Sequence, residues 1–237
     1  EHLAIRDLPA PRRVVLPLRQ HLGVPAKACV KAGDWVAEGQ PVGEPAGFVS
    51  APVHASIAGE VVAVEQRLHP GGFRCESVVV EARDTGPDGA PWPPPPWRLP
   101  GARADWESLT PEQLRGLIRD AGIVGLGGAA FPTHVKLSPP ADKPVDTLVI
   151  NGAECEPFLT CDHRAMLEET AAVALGIRIL QRALGVPRVV VGIELNKPDA
   201  IAALTQALAG APGVEVVGCR VKYPQGAEKQ LVKALLD

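Results

Sequence analysis

Aromatic residues are scarce. Four tryptophans, four phenylalanines and one tyrosine make up 4% of the 237 residues, and there is a single methionine. The core must therefore be built from Val, Leu, Ile and Ala. An excess of one charge is also missing: 24 Lys+Arg against 27 Asp+Glu leave a net charge of -3, without the basic surplus of a nucleic-acid binder. No uninterrupted apolar run reaches the roughly 18 residues that cross a bilayer. The longest uncharged stretches, 45–59 and 121–133, are broken by Gly and Pro. The five cysteines form no C-x-x-C pair, and Cys155-x5-Cys161 is not a usual zinc or iron–sulfur spacing. With an odd cysteine count and no apolar leader-like opening, a reducing compartment is expected, with the thiols as small buried hydrophobes. The six histidines have no metal-ligand spacing and no G-x-S-x-G elbow occurs, so hydrolase and metalloenzyme readings gain no support.

Glycine and proline, by contrast, are abundant. Gly 24 and Pro 25 make up about a fifth of the chain, against an average usage of roughly 12%. The run Ala90-Pro91-Trp92-Pro93-Pro94-Pro95-Pro96-Trp97 is neither helix nor sheet interior, because proline lacks the amide donor and fixes φ. It marks a spacer over residues 85–105, with its tryptophans packed on their own domain; an SH3-type ligand is the sharper alternative.

Before the spacer, residues 14–84 alternate short β segments with turns: Val30, Gly33-Asp34, Trp35-Val36, Gly39, Pro41-Val42, then Ala51-Pro52-Val53 and Gly59–Val64. Turns this frequent predict a small all-β sandwich or barrel. The pattern resembles the lipoyl/biotinyl hammerhead family. Members of that family carry a cofactor on a lysine at a hairpin tip. Here the tip, near Ala46-Gly47-Phe48-Val49, has no lysine. The expected role is docking or structure.

After the spacer, residues 106–237 change pattern. Thr110-Pro111-Glu112 opens a helix with an N-cap and a proline at N1. Expected next are a strand 147–150, a helix from about His163 to Leu184, a strand 188–193, a helix 198–209, a strand 214–221 and a helix from about Gly226 that is still running at Asp237. Strands alternating with helices predict a parallel sheet with helical cover. A helix that stops with the chain suggests a piece of something longer.

Two segments carry candidate chemistry. Gly122–Thr133 includes Gly125-x-Gly127-x-x-Ala130, which matches a dinucleotide fingerprint only as bare spacing, because a helix precedes it and Phe131-Pro132 follows. Missing Cβ atoms let backbone amides approach an anion or a flat ring, and Lys136 adds positive charge nearby. Taken alone, the loop also reads as a plain turn. In the second segment, Leu148–Pro157, an apolar strand runs into Asn151, Glu154 and Glu156. Ligands of open α/β sheets bind at such carboxyl ends. An amide side chain can donate and accept at once, and the glutamates can accept from ribose hydroxyls. Alone, these too read as exposed turn residues.

Four motifs in order, G-L-G-G-A-A-F-P-T-x-x-K, L-V-I-N-G-A-E-C-E-P-F-L-T-C-D-H-R, G-I-E-L-N-K-P-x-A-I and K-Y-P-Q-G-A-E-K-Q-L, resemble the RnfC family, a component of Rnf ion-translocating electron transport complexes. That family is similar to the flavin-bearing subunit of respiratory complex I. The resemblance implies an α/β class, with a parallel-sheet FMN/NADH-binding domain behind a hammerhead-like β domain. It further implies NADH oxidation at FMN, electrons leaving toward ferredoxin through [4Fe-4S] clusters for which these residues hold no ligands, and the complex's other subunits as partners. The implied location is peripheral, on the cytoplasmic side of the inner membrane. Gly125, Gly127, Gly128, Ala129, Ala130 and Phe131 would line the nucleotide site. Lys136 and Asn151 would hold FMN, Glu154 and Glu156 would sit near the isoalloxazine and the NADH ribose, and Lys197 is a further candidate on the flavin side. Three positions depart from the pattern: Ala130 replaces a usual Gly, Leu126 an arginine of the complex I relatives, and Ala153 their aspartate. A rival function from another class is a non-catalytic docking scaffold with a vestigial nucleotide loop. A covalent carrier lacks its lysine.

Overall fold

The computed structural model describes residues 3–93, 96–100, 105–126 and 128–237. Two compact units emerge, Leu8–Ser138 and Pro139–Asp237, the latter with the leading residues up to Asp7.

In the first unit, strands β1 (Arg13–Pro17), β3 (Trp35–Val36), β6 (Gly59–Leu68) and β7 (Arg74–Glu81) form an antiparallel sheet in the order β1-β7-β6-β3. Strands β2 (Lys27–Ala28), β4 (Pro41–Glu44) and β5 (Val53–His54) form a second sheet in the order β2-β4-β5. Residues of both sheets share one core, including Leu16, Val36, Val42, Val53, Val61 and Val78. These are the aliphatic side chains that an aromatic-poor sequence has to use. The linker tryptophans dock on this module. The Trp92 ring meets Trp35 edge-on at 5.0 Å, and Trp97 N–H donates to Glu38 O at 2.7 Å. Pro94, Pro95 and residues 101–104 of the linker lie outside the described residues.

Helix α1 (Pro111–Asp120) has its expected start. Thr110 and Gln113 cap each other reciprocally, amide to side chain, at 3.2 and 2.8 Å. Leu114 and Ile118 form its buried stripe. A four-residue turn of helix, α2 (Thr133–Lys136), follows the glycine loop. Both helices fall in the unit of the β module, so the compact-unit boundary at 138/139 differs from the compositional one at 85–105.

In the second unit, β8 (Thr147–Gly152), β9 (Arg188–Glu194) and β10 (Val214–Cys219) pair in parallel in the order β10-β9-β8. The central strand is buried along nearly its whole length, as a sheet with two covered faces requires. Helices α3 (Cys161–Glu168), α4 (Thr170–Leu184) and α5 (Pro198–Ala207) cover one face through Met166, Ala174, Ile177, Ala200 and Leu204. Helix α6 (Glu228–Leu236) covers the other through Leu231. The continuous helix expected from His163 to Leu184 is two helices that meet at Glu169. The Thr170 hydroxyl donates to Met166 O at 2.7 Å, occupying the carbonyl that a continuing helix would use. Within this unit, Ile5 N–H is held by the Glu168 carboxylate at 3.0 Å. No helix among the described residues is long and apolar enough to cross a membrane.

Leu204 is 0% exposed within this core, whereas Leu175 on α4 is 42% exposed. Leu204→Ala is expected to cost about 2–5 kcal/mol and Leu175→Ala less than about 0.5 kcal/mol, as read from urea denaturation midpoints.

Candidate functional site

The glycine-rich segment begins where α1 ends. It folds back on itself through a bridge between Val124 and Pro132, with Gly125 N–H donating to Phe131 O at 2.9 Å and Thr133 N–H to Ile123 O at 3.1 Å. Its crest is bare. Leu126 is 94% exposed, and Gly128 and Ala129 are exposed beside it. Gly128 has φ +104, and no atom lies within 4 Å of where its Cβ would be. A Cβ at Gly125 would meet only ordinary contacts, the nearest at 3.7 Å. Protein packing does not demand that glycine, so its effect is to leave open backbone surface. Gly127 lies outside the described residues. Ala130 takes φ +49, so the departure from glycine falls on a residue in the left-handed region, where a Cβ costs roughly 1–2 kcal/mol. Phe131 is half-buried behind the crest. Lys136 is exposed and forms no ion pair among the described residues.

In the other unit, the carboxyl ends of the three parallel strands gather polar side chains. Asn151 uses both ends of its amide internally: Nδ2 donates to Gly226 O at 2.8 Å, and Oδ1 accepts from Ala153 N–H at 3.1 Å. Gly226 N–H donates to the Cys155 sulfur at 3.2 Å. A Cβ on Gly226 would collide with Ala153 O, so only glycine brings the segment between β10 and α6 this close. Beside this stitch lie Glu194, Lys197 and Gln225, which are 2%, 4% and 1% exposed. Among the described residues, Glu194 Oε1 and Gln225 Nε2 have no hydrogen-bond partner. Burial pushes the Glu194 carboxyl up, the Lys197 ammonium opposes that, the Glu154 carboxylate adds to it, and the Lys222 amide opposes it.

Glu154 is buried and serves the start of α3. Its Oε1 accepts from Asp162 N–H at 2.9 Å and from the Cys161 thiol at 3.3 Å, and its Oε2 accepts from His163 N–H at 3.4 Å. A carboxylate at a helix N-terminus satisfies amides that lack partners within the helix. The bond to Glu154 holds the Cys161 thiol above its ordinary value, so it is not an activated nucleophile. Ligand atoms of Glu154, Cys161 and Asp162 lie within 4.8 Å of one another. The positive end of α3 disfavours a cation there. His163 Nε2 is 2.9 Å from the Asp199 carboxylate, which this bond holds below its ordinary value. A cavity of about 170 Å³ opens beside Asn151 and Asp162, smaller than the ~300–1,000 Å³ of ordinary small-molecule pockets.

The structure thus brings Asn151, Glu154 and Lys197 to one sheet end, with Glu156 exposed on the loop that leaves it. The crest residues and Lys136 belong to the other unit. Sequence reasoning missed Glu194, Gln225 and the His163–Asp199 pair. For Glu194 a signal existed: a lone carboxylate closing the apolar run Val189–Ile193.

Because its folded pKa is raised, Glu194 holds its proton more tightly folded than unfolded. Stability therefore falls as pH rises, over a window that opens at the ordinary value of 4.5 and closes at the raised folded value. That fall is expected to disappear in Glu194→Gln, as measured by urea midpoints across pH. Ala130→Gly relieves the left-handed Cβ and is expected to raise thermal stability by about 0.5–1 kcal/mol.

The model of the Nuo51 FMN-binding domain matches residues 118–237, and that of the RnfC barrel sandwich hybrid domain matches residues 1–85. The C component of a proton-translocating ferredoxin:NAD(+) oxidoreductase complex of Clostridium ljungdahlii is 45% identical over 98% of this chain and 49% of its own length. The Na(+)-translocating counterpart of Acetobacterium woodii is 47% identical over 95% of this chain and 49% of its own length. The chain therefore spans about half the length of these curated relatives. A solved NAD+-reducing [NiFe]-hydrogenase, in the air-oxidized state, matches 52% of this chain and 23% of its own at 24% identity, with a TM-score of 0.46. The family resemblance read from the four motifs is borne out, and the chain belongs to the family of the Nuo51 FMN-binding domain.

Proposed function

We propose that this chain is the FMN-binding, NADH-oxidising portion of a subunit of a membrane-bound, ion-translocating ferredoxin:NAD oxidoreductase complex. One observation carries the reading. Within the stretch that matches an FMN-binding domain, the described residues of the glycine loop present an open backbone crest, with the exposed ammonium of Lys136, unpaired among the described residues, a few residues on. Amides and a cation on an uncluttered surface suit a phosphate. The buried Lys197, with no salt bridge among the described residues, and the unpartnered atoms of Glu194 and Gln225 suit a polar ring edge.

Bound FMN supplies the exchange between hydride transfer from NADH and single-electron transfer. The protein's residues bind, orient and set charge. In the unit Leu8–Ser138, Lys136 neutralises phosphate and the loop from Gly125 to Phe131 shapes its surroundings; in the unit Pro139–Asp237, Lys197 supplies positive charge at the sheet end. Glu156 is free to accept from ribose hydroxyls. Asn151 and Glu154 shape the loops around it through the bonds already described. Onward transfer through iron–sulfur clusters to ferredoxin falls to residues outside these 237, since no cysteine set here has cluster spacing. The other subunits of the complex are the partners, and the proposed position is peripheral on the cytoplasmic face of the inner membrane.

A docking scaffold is the second reading, favoured by the internal use of both ends of Asn151. Flavin titration separates the two. A hydrogen bond to a charged group contributes roughly 1.5–3 kcal/mol, so Lys136→Met is expected to weaken FMN binding by about ten- to a hundredfold. The apo melting temperature should stay nearly unchanged, because an exposed lysine contributes little to folding. Lys143→Met, at another exposed lysine, should change neither. Equal flavin affinity in both variants would overturn the assignment of Lys136.

A further inference from the structure

The glycine loop has almost no packing of its own, yet its shape is defined. Three hydrogen bonds from the β module reach it, all within the unit Leu8–Ser138. Before the loop, the His54 ring nitrogen Nε2 is 3.1 Å from Asp120 O, the last residue of α1. Within it, Leu22 N–H donates to the carbonyl of the left-handed Ala130 at 3.1 Å. Just after it, His134 Nε2 is 3.1 Å from Phe48 O. A carbonyl can only accept, so both histidines carry their proton on Nε2.

The module side of these contacts is itself braced. Val24 N–H donates to Val49 O at 2.9 Å, the Ser50 hydroxyl donates to Val24 O at 2.8 Å, and Ala46 N–H donates to the Ser50 oxygen at 3.1 Å. The lysine-free tip 46–49 and the segment 22–24 therefore act as one rigid edge. His134 is buried, with the Phe48 ring edge-on to it at 6.2 Å.

We propose that this edge of the β module is the positioning element of the glycine loop, with His54 and His134 as its two positioning side chains. The proposal rests on the reading of that loop as the flavin phosphate site. Neither histidine touches ligand. Each sets where the crest amides stand, and the Leu22 bond holds Ala130 in its unfavourable φ.

The test compares His134→Leu, which removes the donor, with His134→Gln, which retains one, in the full-length protein. Two quantities are read: amide hydrogen exchange across residues 123–131 without flavin, and the FMN dissociation constant. The expected result for His134→Leu is exchange at least about tenfold faster in that segment and FMN binding about tenfold weaker, with both restored in His134→Gln. His54→Leu, at a half-exposed site, should reproduce the faster exchange, and it decides the matter should His134→Leu fail to fold. Unchanged loop exchange in the folded leucine variants overturns the proposal. Absence of FMN binding by the wild type would instead overturn the flavin reading, while the exchange comparison would still judge the positioning role.

Discussion

A backbone surface kept clear of side chains cannot stabilise itself, and the fold has to hold it from outside. The hydrogen bond from Leu22 to Ala130 meets that constraint at its most strained point. Glycine at 125 and 128 removes contacts as well as clashes, so each ångström of openness at the crest is an ångström of lost packing. The β module supplies the missing constraint through the Leu22 amide, the Phe48 carbonyl that accepts from His134, and the His54 ring that donates to Asp120 O. Its hairpin tip, lysine-free, makes contacts with the loop's flanks rather than projecting an arm.

The parallel-sheet unit solves a different problem. Its central strand is buried on both faces, so the strand's polar neighbours collect at the carboxyl end. There Glu194, Lys197 and Gln225 are almost wholly enclosed. Burying such groups without full hydrogen bonding is unfavourable. Asn151, Cys155 and Gly226 join two loops by two hydrogen bonds, and a third, from Ala153 N–H to Asn151 Oδ1, fixes the Asn151 side chain within its own loop. Glu154 completes the start of α3.

Lys136 and Lys197 illustrate two ways of presenting a cation. The first is exposed to solvent, and the second is enclosed, its charge opposing the burial that raises the Glu194 carboxyl.

Local pattern determined much of this protein by sequence alone. Periodicity and turn spacing distinguished an all-β half from an α/β half. The Thr110–Gln113 capping box placed the start of α1. Ordered motifs carried the family. These are short-range properties, set by residues a few positions apart, so a linear reading captures them. Three features needed the tertiary structure. The expected long helix breaks at Glu169, with φ -118 and ψ 30, where the Thr170 hydroxyl bonds back to Met166 O, a local detail that propensity leaves open. Glu154 and Asn151 turn inward because α3 and the Gly226 segment, 8 and 75 positions away, bring their own amides and carbonyls to them. The glycine loop belongs to the β module because Leu22, Phe48 and His54 reach it from 66 to 108 residues earlier in the chain. Such contacts depend on loop closure and the packing of whole sheets, which no local pattern of residues encodes.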